Sequence, residues 1–465
     1  MINSYDIVDR SYKGEKITDE KQWDLRVWRK GVELAEKYNI KYDPNYSIMC
    51  DDDMADRCFE AAIELLCEVG VFNTGTQRVV LFEKEEILKG LGQLRNDLIL
   101  GAARDRFILS HRNIDDHDDV KMMSGHLSCT DEVAPKLFQA MAEVQSLDII
   151  EGFNFFGYQA GRMMEGFVHE TLGTKAIVTT LRKAIARAGR PGMHILYYPV
   201  SPNPTAMISA LDPENGIRKT DAIEITPIPE LKIENTLLSV AIATAEYGAF
   251  CNSDITSILY GFGGGPNENA IIGTAQTLQS FITYRIDYNN LAQALPIDVE
   301  GWSLPAAQWS RSINSVAMSR NIKAPCFVYV APGPEPDNEN RWWELAAQTM
   351  MAVSSGSHVD VIRPIRPYRP NLLTPLEIEY CSEIANAMVK NKMSREKTNE
   401  ILMNGLVPKY GPIYDTPTKK RYTLLKGKPF EELYNLDTLK PNQEHVDNYR
   451  YAKDELAKLG VEFDY

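Results

Sequence analysis

The chain has 465 residues, 44% hydrophobic and 25% charged, enough for one large barrel with appendages or for about two to three smaller domains. Its 64 acidic side chains against 50 basic ones leave a formal charge of -14, which repels phosphate backbones and argues against nucleic acid or an anionic membrane as the main partner. Seven scattered cysteines, none in a CxxC, suggest neither a disulfide framework nor a structural zinc site, and no run of about 18 apolar residues or apolar leader region occurs, so a cytoplasmic protein is expected.

Residues 20 to 110 read as helical. "DDMADRCFEAAIELLCEVG" keeps apolar residues at i, i+3, i+4 spacing behind aspartates that can cap its start, and no strand is needed there. Residues 1–115 therefore form an expected N-terminal helical extension. From about residue 118 the texture changes to short β-rich runs: DVKMMSGH (119–126), DIIEGFNFF (148–156), MHILYYPV (193–200), DAIEITPI (221–228), TSILYGF (256–262), LAQALPIDV (291–299), PCFVYVAP (325–332) and HVDVIRPI (358–365). Amphipathic helical stretches such as "TKAIVTTLRKAIARAG" and "RWWELAAQTMMAVSS" lie between them, and "PLEIEYCSEIANAMV" follows the eighth.

Strict β-then-α alternation over eight units predicts a (β/α)8 TIM barrel over 116–392, with an open doubly wound sheet as the competing reading. "GFGGGPNENA" (261–270) lacks the P-loop GK[ST] and the GxGxxG spacing, leaving a close backbone approach to a ligand or a tight turn. Beyond 393 a lysine-rich stretch and the helix "HVDNYRYAKDELAKLG" predict a C-terminal helical cap over 393–465.

Barrel enzymes of this kind work at the C-terminal ends of their strands. Those ends offer Tyr197, Tyr198, Glu224, Glu268 in the glycine-rich loop, Asp298, Glu300, Tyr329, Glu335, Asp337 and the arginines of "RPIRPYRP" (363–370). The seven histidines form no HExxH or HxH pair, and no GxSxG elbow occurs, so neither a metal site nor a serine nucleophile is expected. Arg363, Arg366 and Arg369 stand three apart among prolines, where a polyproline II segment would align their guanidiniums along one edge. They suit an anionic substrate, a cofactor phosphate or an acidic partner surface, or simply a solvated loop.

A resemblance then narrows these options. "YDIVDRSYKGEKITDEKQWDL" and "VELAEKYNI" near the start, "LGAARDR" (100–106), "AGRPGM" (188–193), "ELKI" (230–233), "NSDI" (252–255), "APGP" (331–334) and "YAKDELAKLGVEF" at the end occur in an order and spacing that resembles the monomethylamine methyltransferase family over nearly the whole chain. That resemblance implies a (β/α)8 barrel. It also implies methyl transfer from a small methylated compound to cob(I)alamin carried by a separate cognate corrinoid protein. No tightly bound cofactor is expected, since the corrinoid-binding DxHxxG is absent and "DDHDDV" (115–120) imitates only its first half.

Family members keep pyrrolysine at the barrel centre, and alignment from "ELKI" carries that position onto Arg218, with Asp221 and Glu224 matching on the way. The family's site tyrosine falls on Tyr329, its glutamine on Phe327, and its glutamate near Asn267 or Glu268. A guanidinium forms no imine adduct, so the resemblance implies a pyrrolysine-free member acting on a betaine-like or otherwise anionic N-methyl compound. Glu268, Tyr329 and Glu224 are the expected catalytic residues. Arg218, Asp221, Phe327, Tyr198, Arg363 and Arg366 are expected to bind substrate, and a homo-oligomer is expected. A lyase or aldolase using Glu224 and Tyr329, and a catalytically silent ligand-binding homologue, are the alternative readings.

Overall fold

The computed structural model describes residues 4–116, 118–155, 168–198, 203–297 and 301–463. Eight parallel strands close a barrel in chain order: β1 Met122–Gly125, β2 Leu147–Glu151, β3 His194–Tyr197, β4 Ala222–Ile225, β5 Phe250–Leu259, β6 Tyr288–Pro296, β7 Cys326–Val330 and β8 His358–Ile362. β8 pairs with β1 from Val359 opposite Met122 to Ile362 opposite Gly125, and this closing ladder rules out an open sheet. Each of the eight predicted runs contains or overlaps one strand. β5 and β6 begin earlier than their apolar patterns indicate, because Asn252, Asp254 and Asn290 are polar residues within strands. Asp298 and Glu300 fall outside the described residues.

Helices follow the strands, and Pro204–Ile208, Pro266–Thr283, Pro305–Asn321 and Pro375–Lys390 each begin on a proline. There the missing N–H is one the helix would leave unpaired anyway, and the ring presets φ. Thr374 and Glu377 close a capping box on the last of these. Pro266–Thr283 is buried along almost its whole length. The N-terminal helices Glu20–Lys37 and Asp52–Glu68 cover its outer side, where Gly31 lies against Ile272. Asp51 caps the second of these by accepting from Met54 N at 2.9 Å.

The N-terminal extension is not purely helical, which corrects the expectation that residues 20 to 110 need no strand. Val71–Asn73 pairs with Arg78–Val80 and with Lys232–Ile233. Asp97–Leu100 and Phe107–Ser110 form an antiparallel hairpin in which Leu98 and Leu100 are buried while Asp97 and Ile99 are exposed. This period-two pattern is too short to stand out against the helical segments around it. Leu98, Leu100 and Leu109 of the hairpin pack with Met123, Ile149, Leu196, Ala222, Tyr288 and Phe327 of the barrel strands. The hairpin thus plugs the barrel at the N-terminal ends of its strands. At the other end of the chain, helical segments run from Arg395–Ile401 to Gln443–Lys458.

Candidate active site at the barrel mouth

Side chains in a strand alternate between its faces, so the residue two positions beyond an inward-facing one also faces inward. Above the apolar layer that the hairpin closes, this rule takes Ile149 to Glu151, Leu196 to Tyr198, Ala222 to Glu224, Tyr288 to Asn290 and Phe327 to Tyr329. On the remaining strands Asp254 and Asp360 complete the same upper layer, Asp254 opposite Asn290 and Asp360 opposite Tyr329 in the ladders. Glu151, Glu224 and Asp360 are fully buried, and Asp254 is 9% exposed. A change from apolar to acidic within one turn of the barrel separates core from site.

His126 reaches this layer by a different device. Gly125 has φ +155°, and a Cβ there would come within 2.3 Å of the Glu151 carbonyl oxygen. Only glycine lets β1 approach β2 so closely. The chain then turns at His126, φ +46°, which anchors its N–H on the Gly152 carbonyl at 2.9 Å.

The imidazole links the cluster together. Its Nδ1 lies 3.0 Å from Glu151 Oε1 and 3.3 Å from the Tyr329 hydroxyl, and Arg363 donates to its Nε2 at 3.3 Å. Because a guanidinium only donates, the neutral ring in this arrangement carries its proton on Nδ1, toward Glu151. The Tyr329 hydroxyl donates across the lumen to Glu224 Oε2 at 3.2 Å. The Tyr198 ring lies over His126, centroids 3.9 Å apart, and Trp302 stacks beside Tyr329 at 6.2 Å. Asn290 donates to Asp360 at 3.2 Å.

Burial pushes the carboxyls of Glu151, Glu224 and Asp360 well above the usual carboxylate range, and repulsion among the acids adds to it. Burial lifts Asp254 to about 7. The His126 imidazole is held well below its ordinary value by burial and then by the nearby Arg363 cation, and burial raises the Tyr329 phenol. The carboxyls therefore favour their neutral form, in which a proton can pass between Tyr329 and Glu224 or be exchanged for a cation.

Of the residues singled out in the sequence, Glu224, Tyr329, Tyr198 and Arg363 come together here. Arg218 does not. It precedes β4, at the plugged end, with its N–H on Asp221 at 2.8 Å and its guanidinium on the Pro191 carbonyl at 3.2 Å. Alignment along the chain does not register which end of a strand a residue occupies. Asp221 is a buried structural acid that accepts from Ile195 N at 3.0 Å and pairs with Arg182. Phe327 belongs to the apolar layer beneath the site.

Glu268 lies in the first turn of Pro266–Thr283, with its Cβ near Gly31 of the N-terminal extension, outside the cluster. The glycine-rich segment before it is a tight turn in which Tyr260 N donates to Gly264 O at 2.7 Å. The arginines of "RPIRPYRP" do not share an edge: Arg363 faces His126, Arg366 is exposed, and Arg369 pairs with Glu335 at 2.6 Å. Asp337 is likewise taken, by Lys428 at 2.8 Å and by His445. Sequence reasoning missed His126, Glu151, Asp254 and Asp360: His126 ends a predicted run, Glu151 and Asp360 lie inside theirs, and Asp254 precedes the run predicted for β5.

A closed parallel barrel with a buried acidic cluster at its C-terminal mouth defines a barrel enzyme. Residues 2–461 match the family described as "Monomethylamine methyltransferase MtmB", and the chain belongs to that family of methyltransferases. It is 26% identical over 481 aligned residues to monomethylamine methyltransferase MtmB of Methanosarcina mazei and 25% identical to MtmB2 of Methanosarcina acetivorans, with 99% of each chain covered in both cases. The crystal structure of the Methanosarcina barkeri monomethylamine methyltransferase superposes with a TM-score of 0.91 at 23% identity, covering 100% of both chains, and confirms the fold. No described helix is long and apolar enough to cross a membrane.

Proposed function

We propose that this methyltransferase moves a methyl group from a small methylated amine compound to the cob(I)alamin of a separate corrinoid protein, without pyrrolysine. All 465 residues are of the twenty common types. The donor we favour is betaine-like, a methylated ammonium group joined to an acid, but on a different basis from the Arg218 alignment. The observation that carries this reading is the mouth itself, where the rings of Tyr198 and Tyr329 flank His126 and the Arg363 guanidinium stands beside them. Aromatic faces attract methylated ammonium groups, and a guanidinium fork suits a carboxylate.

Attack by cobalt on the methyl carbon leaves the electron pair on nitrogen, so a quaternary donor departs as a neutral amine. A less methylated one needs a proton, for which Tyr329 and Glu224 are placed. The corrinoid is supplied by the partner protein, and its chemistry is the cofactor's own.

The test is cob(I)alamin methylation, followed by its visible spectrum, with monomethylamine, betaines and N-methyl amino acids as donors. Methyl transfer should be fastest with a donor carrying both an ammonium group and an acid, and Arg363→Lys should lower it about tenfold or more. Equal rates with plain monomethylamine would refute the betaine-like donor, and turnover in the absence of any corrinoid would favour a lyase or aldolase. Sedimentation of the purified protein tests the expected homo-oligomer.

A further inference from the structure

Four carboxyl groups converge in the lumen, and none of them forms an ion pair with a lysine or arginine among the described residues. Glu151 pairs with the His126 imidazole and accepts from the Tyr329 hydroxyl at 3.5 Å. Arg363, the cation nearest to them, donates to His126 and to the Pro364 and Ile365 carbonyls. Glu151 Oε2, Glu224 Oε1, Asp254 Oδ1 and Asp360 Oδ1 are all buried without a hydrogen-bond partner. Unpaired buried acceptors of this kind are costly unless something else satisfies them.

We infer that His126, Glu151 and Glu224 form a binding site for a divalent transition-metal ion of the zinc or manganese class. One ligand atom from each residue lies within 4.8 Å of the other two, and all three residues are buried. Bonds of about 2.0–2.2 Å place neighbouring ligand atoms roughly 3 to 3.5 Å apart. The His126 Nδ1 to Glu151 Oε1 distance of 3.0 Å already meets that spacing, and a small rotation of Glu224 supplies the third ligand. Glu224 has a free oxygen, Oε1, for this purpose, so its bond from Tyr329 through Oε2 can remain.

The donor set argues for a metal over an ammonium ion. An ammonium would need only the carboxylates, whereas an imidazole nitrogen among them is a donor that zinc, manganese and iron accept and that calcium and magnesium avoid. Two glutamates neutralise a divalent charge, which lets the ion sit near Arg363. Binding through Nδ1 moves the imidazole proton to Nε2, so the 3.3 Å contact from Arg363 must open. The two backbone carbonyls still hold that guanidinium at the mouth.

The site shares His126 and Glu224 with the proposed donor mouth, but its test uses neither donor nor corrinoid protein. The full chain, stripped with chelator, would be titrated with Zn2+, Mn2+ or Co2+, following the visible absorption of Co2+ and the ion content after desalting. One ion per chain is expected. His126→Gln and Glu151→Gln should each weaken binding at least tenfold, and saturating ion should raise the melting temperature of the parent but not of these variants. Circular dichroism of the ion-free variants shows whether they remain folded. If an ion-binding variant pair proves unfolded, Glu224→Gln replaces it as the probe. A folded parent that binds none of the three ions, or binds them equally well after these substitutions, overturns the site. Methylammonium binding that depends on Glu151 and Glu224 without any metal binding would assign the cluster to an ammonium instead.

Discussion

The Tyr329 hydroxyl donates to Glu224 at 3.2 Å, and that one bond spans the lumen from β7 to β4. It joins the two residues best placed to handle a proton at the mouth. Tyr329 also lies 3.3 Å from His126 Nδ1 and 3.5 Å from Glu151 Oε1.

Replacing Tyr329 by phenylalanine keeps the ring stacked beside Trp302 and removes only the hydroxyl. For a donor whose amine needs a proton to leave, the methyl-transfer rate should fall about 100-fold or more. The folded state should lose about 1–3 kcal/mol for the unpaired Glu224 oxygen. Single-turnover cob(I)alamin methylation and urea denaturation measure the two effects, and an unchanged rate would remove Tyr329 from the chemistry.

Arg341 and Glu377 form an ion pair at 2.5 Å with side chains 1% and 0% exposed. Arg341 also donates to the carbonyls of Pro334 and Ile362, tying the loop after β7 to the end of β8. Arg341→Ala leaves Glu377 buried and uncompensated, and should cost about 3–5 kcal/mol. Arg363 follows Ile362 directly, so the variant should also weaken donor binding. A urea midpoint equal to the parent's would show that the pair contributes nothing.

Glu230 is raised by burial from 4.5 to about 7, while its Oε1 accepts from Ile258 N at 3.0 Å. Between those two values the folded protein holds a proton that the unfolded chain has released. Stability therefore falls as pH rises from about 4.5 to 7, by an amount on the order of 2–3 kcal/mol, and levels off above. Glu230→Gln keeps the acceptor and removes the titration. Urea midpoints across that range should show a flatter slope for the variant and a more stable protein at pH 8. A slope identical to the parent's would place the titration elsewhere.

Gly125→Ala sets a Cβ against the Glu151 carbonyl, which must push β1 and β2 apart just where His126 and Glu151 meet. Activity should fall at least tenfold, and the melting temperature by several degrees, as for about 1–3 kcal/mol of overpacking strain. Full activity in this variant would show that the β1 turn does not position the imidazole.

The count of eight strands was legible because each run is bounded by turn residues and followed by a helical pattern. The early halves of β5 and β6 were not, since Asn252, Asp254 and Asn290 interrupt the apolar run a buried strand should show. Two of these residues, Asp254 and Asn290, help line the site. Function and legibility therefore oppose each other in these two strands. His126 and Glu151 looked ordinary because their significance lies in a contact between two strands, which no local pattern encodes. Arg218 shows the converse: its neighbours in sequence resemble the family's, yet it lies before β4, at the plugged end of the barrel.

The hairpin of Asp97–Leu100 and Phe107–Ser110 closes the barrel at the N-terminal ends of its strands, so among the described residues access to the acidic cluster is from the C-terminal mouth. When the second reactant is itself a protein that must approach this mouth, small molecules and the docked partner compete for the same opening. On the proposed function, the donor would have to enter before docking, and the demethylated product could leave only after undocking. Such a reaction runs in compulsory order, with donor first and product last. Raising the partner's concentration beyond what docking requires should then slow turnover by trapping product inside.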